Sequence, residues 1–258
     1  MNLHFDSNIT QISGLHSGSQ IARVLTEAWV AENMFCPRCG NVQINSFPNN
    51  RPVADFFCPL CKSEYELKSK KGTLGHKSSD GAYETMIQRI TGNQNPDFFF
   101  MNYSKDYLTV KDLILIPKHF FVPDIIEKRK PLSDSARRAG WVGCNILLDK
   151  IPSQGKISII SEGKAKGISA VVNEVKKCCA LNVKDIADRG WLMDILNCLN
   201  TIRSQQFSLE NMYSFEHTLL VKHPKNHNIR PKIRQQMQLL RDRGYIEFLG
   251  NGRYRKIV

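Results

Sequence analysis

At 258 residues the chain has room for one large domain and a smaller one. Apolar residues make up 41% and charged residues 23%, which excludes a chain disordered throughout. Lys and Arg total 36 against 24 Asp and Glu, a net charge of +12 that points to a polyanionic partner, nucleic acid being the commonest, against the alternative of a merely basic surface.

Residues 1–6 lack the basic stretch and apolar run of a secretion signal, and no apolar run reaches the roughly 18 residues of a membrane helix. A cytoplasmic monomer with no membrane partner is therefore expected. In that compartment eight cysteines are not expected to form structural disulfides.

In chain order, Ser17-Gly-Ser-Gln predicts the start of a helix with Ile21, Val24, Leu25, Ala28 and Trp29 on one face. Pro37, Pro48, Pro52 and Pro59 argue against helix in the next stretch. Residues 53–57 and 65–70 read as short strands, residues 80–90 as a helix, and the apolar runs 98–101 and 113–116 as buried strands. Residues 118–140 read as irregular and basic, 144–148 and 156–161 as two more strands, and 162–184 as the junction between domains. From about residue 185 the pattern is three helices, the third over about 229–242, closed by a strand, a Gly250-Asn-Gly turn and a strand. That order predicts a winged helix.

Two motifs share one short stretch. Cys36-Pro-Arg-Cys39 and Cys58-Pro-Leu-Cys61 are separated by 18 residues, a spacing that suits a closed tetrathiolate zinc site, with a redox dithiol or iron–sulfur cluster as the alternatives. Asp55 precedes the second pair and Glu66-Leu67-Lys68 follows it. Hard carboxylate oxygens suit Mg²⁺, and hydrolysis of a phosphodiester needs such a metal plus a nearby cation. Strand alternation puts Glu66 and Lys68 on one face, a hairpin partner can bring Asp55 there, the Leu67 carbonyl can add a ligand, and Glu27 can assist from the preceding helix. The zinc knuckle would then be the turn that fixes the register of the two strands. A surface salt-bridge cluster is the alternative, because Glu-x-Lys recurs at Glu162/Lys164 and Glu174/Lys176. The first of these reads as a hairpin end and the second as an exposed face.

The third helix of the winged helix carries Arg230, Lys232, Arg234, Gln235, Gln236 and Arg241, and the wing carries Arg253, Arg255 and Lys256. Arg and Gln present the planar geometry that reads base edges. A solvated helix in a protein-binding module is the alternative. Arg137-Arg138-Ala-Gly-Trp141 places a Trp beside two Arg in a loop, either to meet a base or to pack in the core. His217, His223 and His227 read as polar surface residues.

Asn49-Asn-Arg-Pro-Val-Ala-Asp-Phe-Phe-Cys58, Glu66-Leu-Lys-Ser-Lys-Lys-Gly72, Arg137-Arg-Ala-Gly-Trp-Val-Gly-Cys-Asn145 and Lys232-Ile-Arg-Gln-Gln236 resemble the methyl-directed restriction endonucleases of the DpnI type, and the likeness runs from about residue 20 to the C-terminus. It implies an α/β PD-(D/E)xK nuclease core with a mixed central sheet and an inserted four-cysteine zinc knuckle over residues 1–184. A mainly α winged-helix domain over 185–258 would follow. It further implies Mg²⁺-dependent cleavage of both strands at GATC sites carrying N6-methyladenine, which both domains would read. Asp55, Glu66 and Lys68 would be catalytic, with Trp141 at the methylated base. The rival is a non-catalytic methyl-DNA-binding transcriptional regulator with zinc ribbon and winged helix.

Overall fold

The first seven residues of the strand Asp97–Ser104 are all buried, as expected of a strand covered on both faces, and this strand lies in the middle of the main sheet. The computed structural model describes residues 1–6, 17–48 and 54–257. Residues 49–53, with part of the first expected strand, lie outside the described residues.

Helix α1 (Gly18–Asn33) buries Leu25, Thr26, Trp29 and Val30, one stripe at helical spacing. Strands β1 (Asn45–Ser46), β2 (Phe56–Phe57), β3 (Glu64–Lys71) and β4 (Lys77–Ala82) follow, then helix α2 (Tyr83–Thr91), which buries Met86 and Ile90. After β5 (Asp97–Ser104) come β6 (Thr109–Ile116), β7 (Ile126–Lys128), β8 (Gly143–Leu147), β9 (Ile157–Ser161), β10 (Lys164–Ala165) and α3 (Ile168–Cys179).

The main sheet has the order β1-β2-β3-β5-β6-β9-β10. Only β3 and β5 run parallel, so the sheet is mixed, as expected. A second, antiparallel sheet has the order β4-β8-β7. Tyr65 stacks on Phe99 at 4.9 Å and Phe98 packs on Phe121 at 4.4 Å, so aromatic contacts fill the space beside β3 and β5. The Thr26 hydroxyl bonds the Ser69 hydroxyl at 3.0 Å and ties α1 to β3.

Three expectations need correction. Residues 80–82 belong to β4 rather than to the following helix, because Asp80 and Ala82 are paired with Cys144 and Gly143. The stretch 118–140 is not wholly irregular, since β7 pairs with β8. The junction expected over 162–184 is narrower than that: Glu162 and Gly163 turn between β9 and β10, α3 buries Val171, Val175 and Cys178 against β9, and the division between the two units falls after Cys179.

By internal packing the chain forms two units, Met1–Asp149 with Lys156–Cys179, and Lys150–Gly155 with Ala180–Val258. The second contains α4 (Ile186–Thr201), β11 (Gln206–Ser208), α5 (Leu209–Tyr213), α6 (Glu216–Lys222), α7 (Ile229–Asp242), β12 (Ile246–Gly250) and β13 (Arg253–Lys256). Asp185 caps α4, and Ser208 with Asn211 forms a capping box at α5. The wing is three-stranded, order β11-β13-β12, one strand more than expected. His223 is not a surface residue. Its ring stacks on Trp191 at 3.7 Å, and Nε2 meets Asp194 at 2.9 Å.

Candidate functional site

The four paired cysteines converge, with all their Sγ atoms within 4.8 Å of one another. Cys36 Sγ lies 3.5 Å from Cys61 Sγ, and Cys39 Sγ lies 3.6 Å from Cys58 Sγ. A tetrahedron with Zn–S bonds of about 2.3 Å has edges of about 3.8 Å, so the thiols are spaced for one such ion. An iron–sulfur cluster would hold them much further apart. Each pair sits in a tight turn: Gly40 N–H donates to Cys36 O at 2.8 Å and Lys62 N–H donates to Cys58 O at 3.0 Å. Gly40 (φ +80°) and Lys62 (φ +59°) take left-handed conformations there. Burial pushes the Cys36 thiol up. Burial also acts to raise Cys61, but hydrogen bonding from Ser63 and the neighbouring thiols outweighs it and brings Cys61 down to about 7.

The second Cys pair is the turn between β2 and β3, as expected, and it sets the ladder Phe57↔Glu64 and Phe56↔Tyr65. One step further along that register, Asp55 stands opposite Glu66. Phe56 and Tyr65 are buried on the core side, so Asp55 and Glu66 belong to the other face. Asp55 leaves the sheet at this point. Its N–H still donates to Tyr65 O at 2.9 Å, but its carbonyl accepts from Phe47 N–H at 2.8 Å. Its carboxylate accepts from Leu67 N–H at 2.7 Å. The Leu67 carbonyl points to the same side of β3 as that N–H, hence toward Asp55.

Lys68 Nζ lies 2.5 Å from Glu66 Oε1 and also contacts Asp80 Oδ1, and Arg89 Nη2 lies 3.3 Å from Glu66 Oε2. Burial disfavours the charge on Lys68, but Glu66 and Asp80 outweigh it and hold the ammonium well above its usual range. Burial pushes Glu66 up and Asp80 adds to the rise, against the pull of Lys68 and Arg89. Glu27 is also raised, by burial and by Asp55, with Arg23 acting against both. Arg23, Glu27, Phe47 and Asp55 line a cleft of about 290 Å³. Glu66 and Lys68 therefore sit together with two groups that sequence reasoning missed, Asp80 and Arg89, and Asp55 is tied to the same strand through Leu67 N–H. Asp80 was hidden because β4 is polar on both faces and lacks an apolar alternation to announce a strand. The decoy residues are elsewhere: Glu162 is an exposed turn residue at φ +49°, and Glu174 pairs with Lys166 at 2.9 Å. Among the described residues only the four cysteines bring three or more His, Cys, Asp or Glu ligand atoms together.

Strand β8 follows the Trp141 loop. Leu132 N–H donates to Trp141 O at 3.0 Å and Gly140 N–H to Leu132 O at 3.0 Å, which closes the loop on itself. The indole lies on the backbone of Gly143, where a Cβ would come within 2.8 Å of the ring. Arg138 stacks over the ring at 4.9 Å, and Arg137 is exposed. Trp141 is thus half-buried on a loop rather than packed in the core.

On α7, Ile229, Ile233, Met237 and Leu240 face inward and Arg230, Arg234, Gln235 and Arg241 face out. Arg230 pairs with Glu216 at 2.8 Å and stacks over Tyr213 at 4.9 Å, and Arg234 Nη1 donates to the Tyr213 hydroxyl at 2.7 Å. Two expected reading residues are corrected. Gln236 is 3% exposed, since it falls on the inward stripe between Ile233 and Leu240. Lys232 is half-buried and turned toward α4, where Asp188 pairs with it at 2.7 Å. The exposed stripe continues instead through Gln238.

Comparison with protein families matches residues 1–184 to DpnI, the Dam-replacing family, and residues 187–256 to the Dam-replacing HTH domain. The two matches span nearly the whole chain and coincide with the mixed-sheet part that holds the cysteine cluster and with the helical part that holds α7. The chain belongs to the DpnI, or Dam-replacing, family.

Proposed function

We propose that this protein is a type II methyl-directed restriction endonuclease. It hydrolyses phosphodiester bonds in both strands of duplex DNA at GATC sites carrying N6-methyladenine. The nuclease domain is residues 1–184 and the winged-helix domain residues 185–258. The observation that supports the reading is the hairpin register that sets Asp55 opposite Glu66, with the Asp55 carboxylate bonded to Leu67 N–H and Lys68 paired with Glu66, beside the cysteine turn.

Asp55, Glu66 and the Leu67 carbonyl are the oxygens that would hold Mg²⁺, a hard donor set suited to it. When bound, that ion neutralises charge on the phosphate and activates water. Lys68 keeps its proton and donates from a buried position, so its charge acts on the attacking oxygen and the crowded phosphate with little screening. Cys36, Cys39, Cys58 and Cys61 would hold Zn²⁺ away from the chemistry, and the turn they close would keep Asp55 opposite Glu66. Arg137, Arg138 and Trp141 on one unit, and Arg230, Arg234 and Gln235 on the other, supply the cations and flat groups that contact duplex DNA. The adenine methyl groups project into the major groove, where an apolar pocket gains about 1 kcal/mol per methyl.

Incubation of the protein and Mg²⁺ with matched methylated and unmethylated plasmids tests this. Cutting of the methylated plasmid alone is expected, and Asp55→Ala should abolish it. Equal cutting of both plasmids refutes methyl direction, and cutting of neither favours a non-catalytic regulator. An Asp55→Ala protein that still cleaved would show that other carboxylates hold the metal.

A further inference from the structure

We infer that Asp80 is a positioning residue for the nuclease reaction: it is the fixed counter-charge that holds the Lys68 ammonium in place when Glu66 turns to the metal. The inference rests on the nuclease reading above. Lys68, Glu66 and Asp80 have side chains 18%, 14% and 7% exposed, so the lysine charge is largely withdrawn from water and needs a permanent partner. Glu66 cannot be that partner throughout, because the same carboxylate is a proposed metal ligand and also accepts from Arg89 at 3.3 Å. Asp80 is free of that conflict. It comes from another sheet, where its backbone is laddered to Cys144, and its Oδ1 also accepts from Gly81 N–H at 2.7 Å. A carboxylate held by its own strand and by a backbone donor keeps its orientation when its neighbours move. The side of Lys68 facing Asp80 is thereby fixed, and its remaining donors are left to the phosphate and the water.

The test compares wild type, Asp80→Asn and Asp80→Glu in single-turnover cleavage and in binding of methylated duplex, with Lys68→Ala as the reference for loss of the cation. Asp80→Asn should lower the cleavage rate about a hundredfold, the cost of a misplaced group, with duplex affinity unchanged. Asp80→Glu should recover part of the rate. A second readout needs no turnover: in metal-free wild type the ¹⁵N signal of the Lys68 ammonium should show slow proton exchange and a coupling across its hydrogen bond to Asp80. That signal should be lost in Asp80→Asn. Cleavage by Asp80→Asn at the wild-type rate overturns the inference and spares the nuclease reading. So does a rate unchanged with affinity reduced, or an ammonium equally protected in both proteins. Where Asp80→Asn fails to fold, absence of the coupling in wild type overturns it. A wild type that cuts no DNA at all overturns both.

Discussion

Asp97 is a carboxylate with 2% of its side chain exposed, and such a group survives burial only with strong partners. It has three: Arg38 Nε at 2.5 Å, Arg38 Nη2 at 2.8 Å and the Lys118 N–H at 2.8 Å. Arg38 lies inside the first Cys pair, so this fork fastens the cysteine knuckle to the start of β5. Arg38→Ala would strand a buried charge and should cost about 3–5 kcal/mol, read as a fall in the denaturant midpoint. Asp97→Asn with Arg38→Ala should recover part of that loss. A shift below about 1 kcal/mol would show the fork to behave as a surface pair. Gln236 presents the opposite case. Its Oε1 is buried without a hydrogen-bond partner, so that oxygen carries a desolvation penalty with no bond to offset it. Gln236→Met, similar in shape and apolar, should raise stability by about 1 kcal/mol in the same measurement. It should leave DNA affinity unchanged, since the residue lies on the inward stripe of α7. Weaker binding with unchanged stability would return Gln236 to the reading face.

Strand β2 is only two residues long, too short to hold its register by ladder bonds alone, and the cysteine turn supplies the constraint. Removal of zinc by a thiol-competing chelator, followed by excess Mg²⁺, should therefore leave the protein unable to cleave. Added zinc should restore cleavage. Helical circular dichroism should persist, because the second unit contributes none of the four knuckle cysteines. Cleavage that survives metal removal would show that β2 keeps its place unaided. The same hairpin explains what was legible in the sequence. The cysteine spacing, the carboxylates flanking it and the apolar runs of β5 and β6 are local signals, and each marks its own element. Asp80 and Arg89 were not legible, because what brings Asp80 to Lys68 and Arg89 to Glu66 is tertiary: β4 pairs with β8, more than sixty residues on, and α2 follows from it. The helix expected over residues 80–90 was right in kind from Tyr83 onward and wrong at its start, where strand pairing overrode a periodicity too short to be decisive. On α7 the helical period accounts for the buried Ile233, Met237 and Leu240, yet Gln236 was assigned by residue type, and the burial stripe decides its place.

The excess of positive charge is shared along the chain. Residues 185–258 carry 12 Lys and Arg against 7 Asp and Glu, a net +5 that leaves +7 for residues 1–184. Several of these cations are already paired within the protein, as Lys232 is with Asp188 and Arg255 with Glu247 at 3.3 Å. The number that meet phosphate is therefore smaller than the net charge suggests. Each phosphate contact releases counterions, so affinity falls steeply with salt. With six contacts the loss is about a thousandfold between roughly 50 and 200 mM. An Asp55→Ala protein, expected not to cleave, allows this to be measured on intact duplex. If methylation is read by apolar burial alone, methylated and unmethylated duplexes must give parallel lines of log affinity against log salt. Those lines should be offset by about fivefold per buried methyl, the equivalent of about 1 kcal/mol. Lines that converge at high salt would mean that methylation changes how many phosphates are held. The methyl groups would then act by altering how the duplex docks, and the apolar-pocket account would fail.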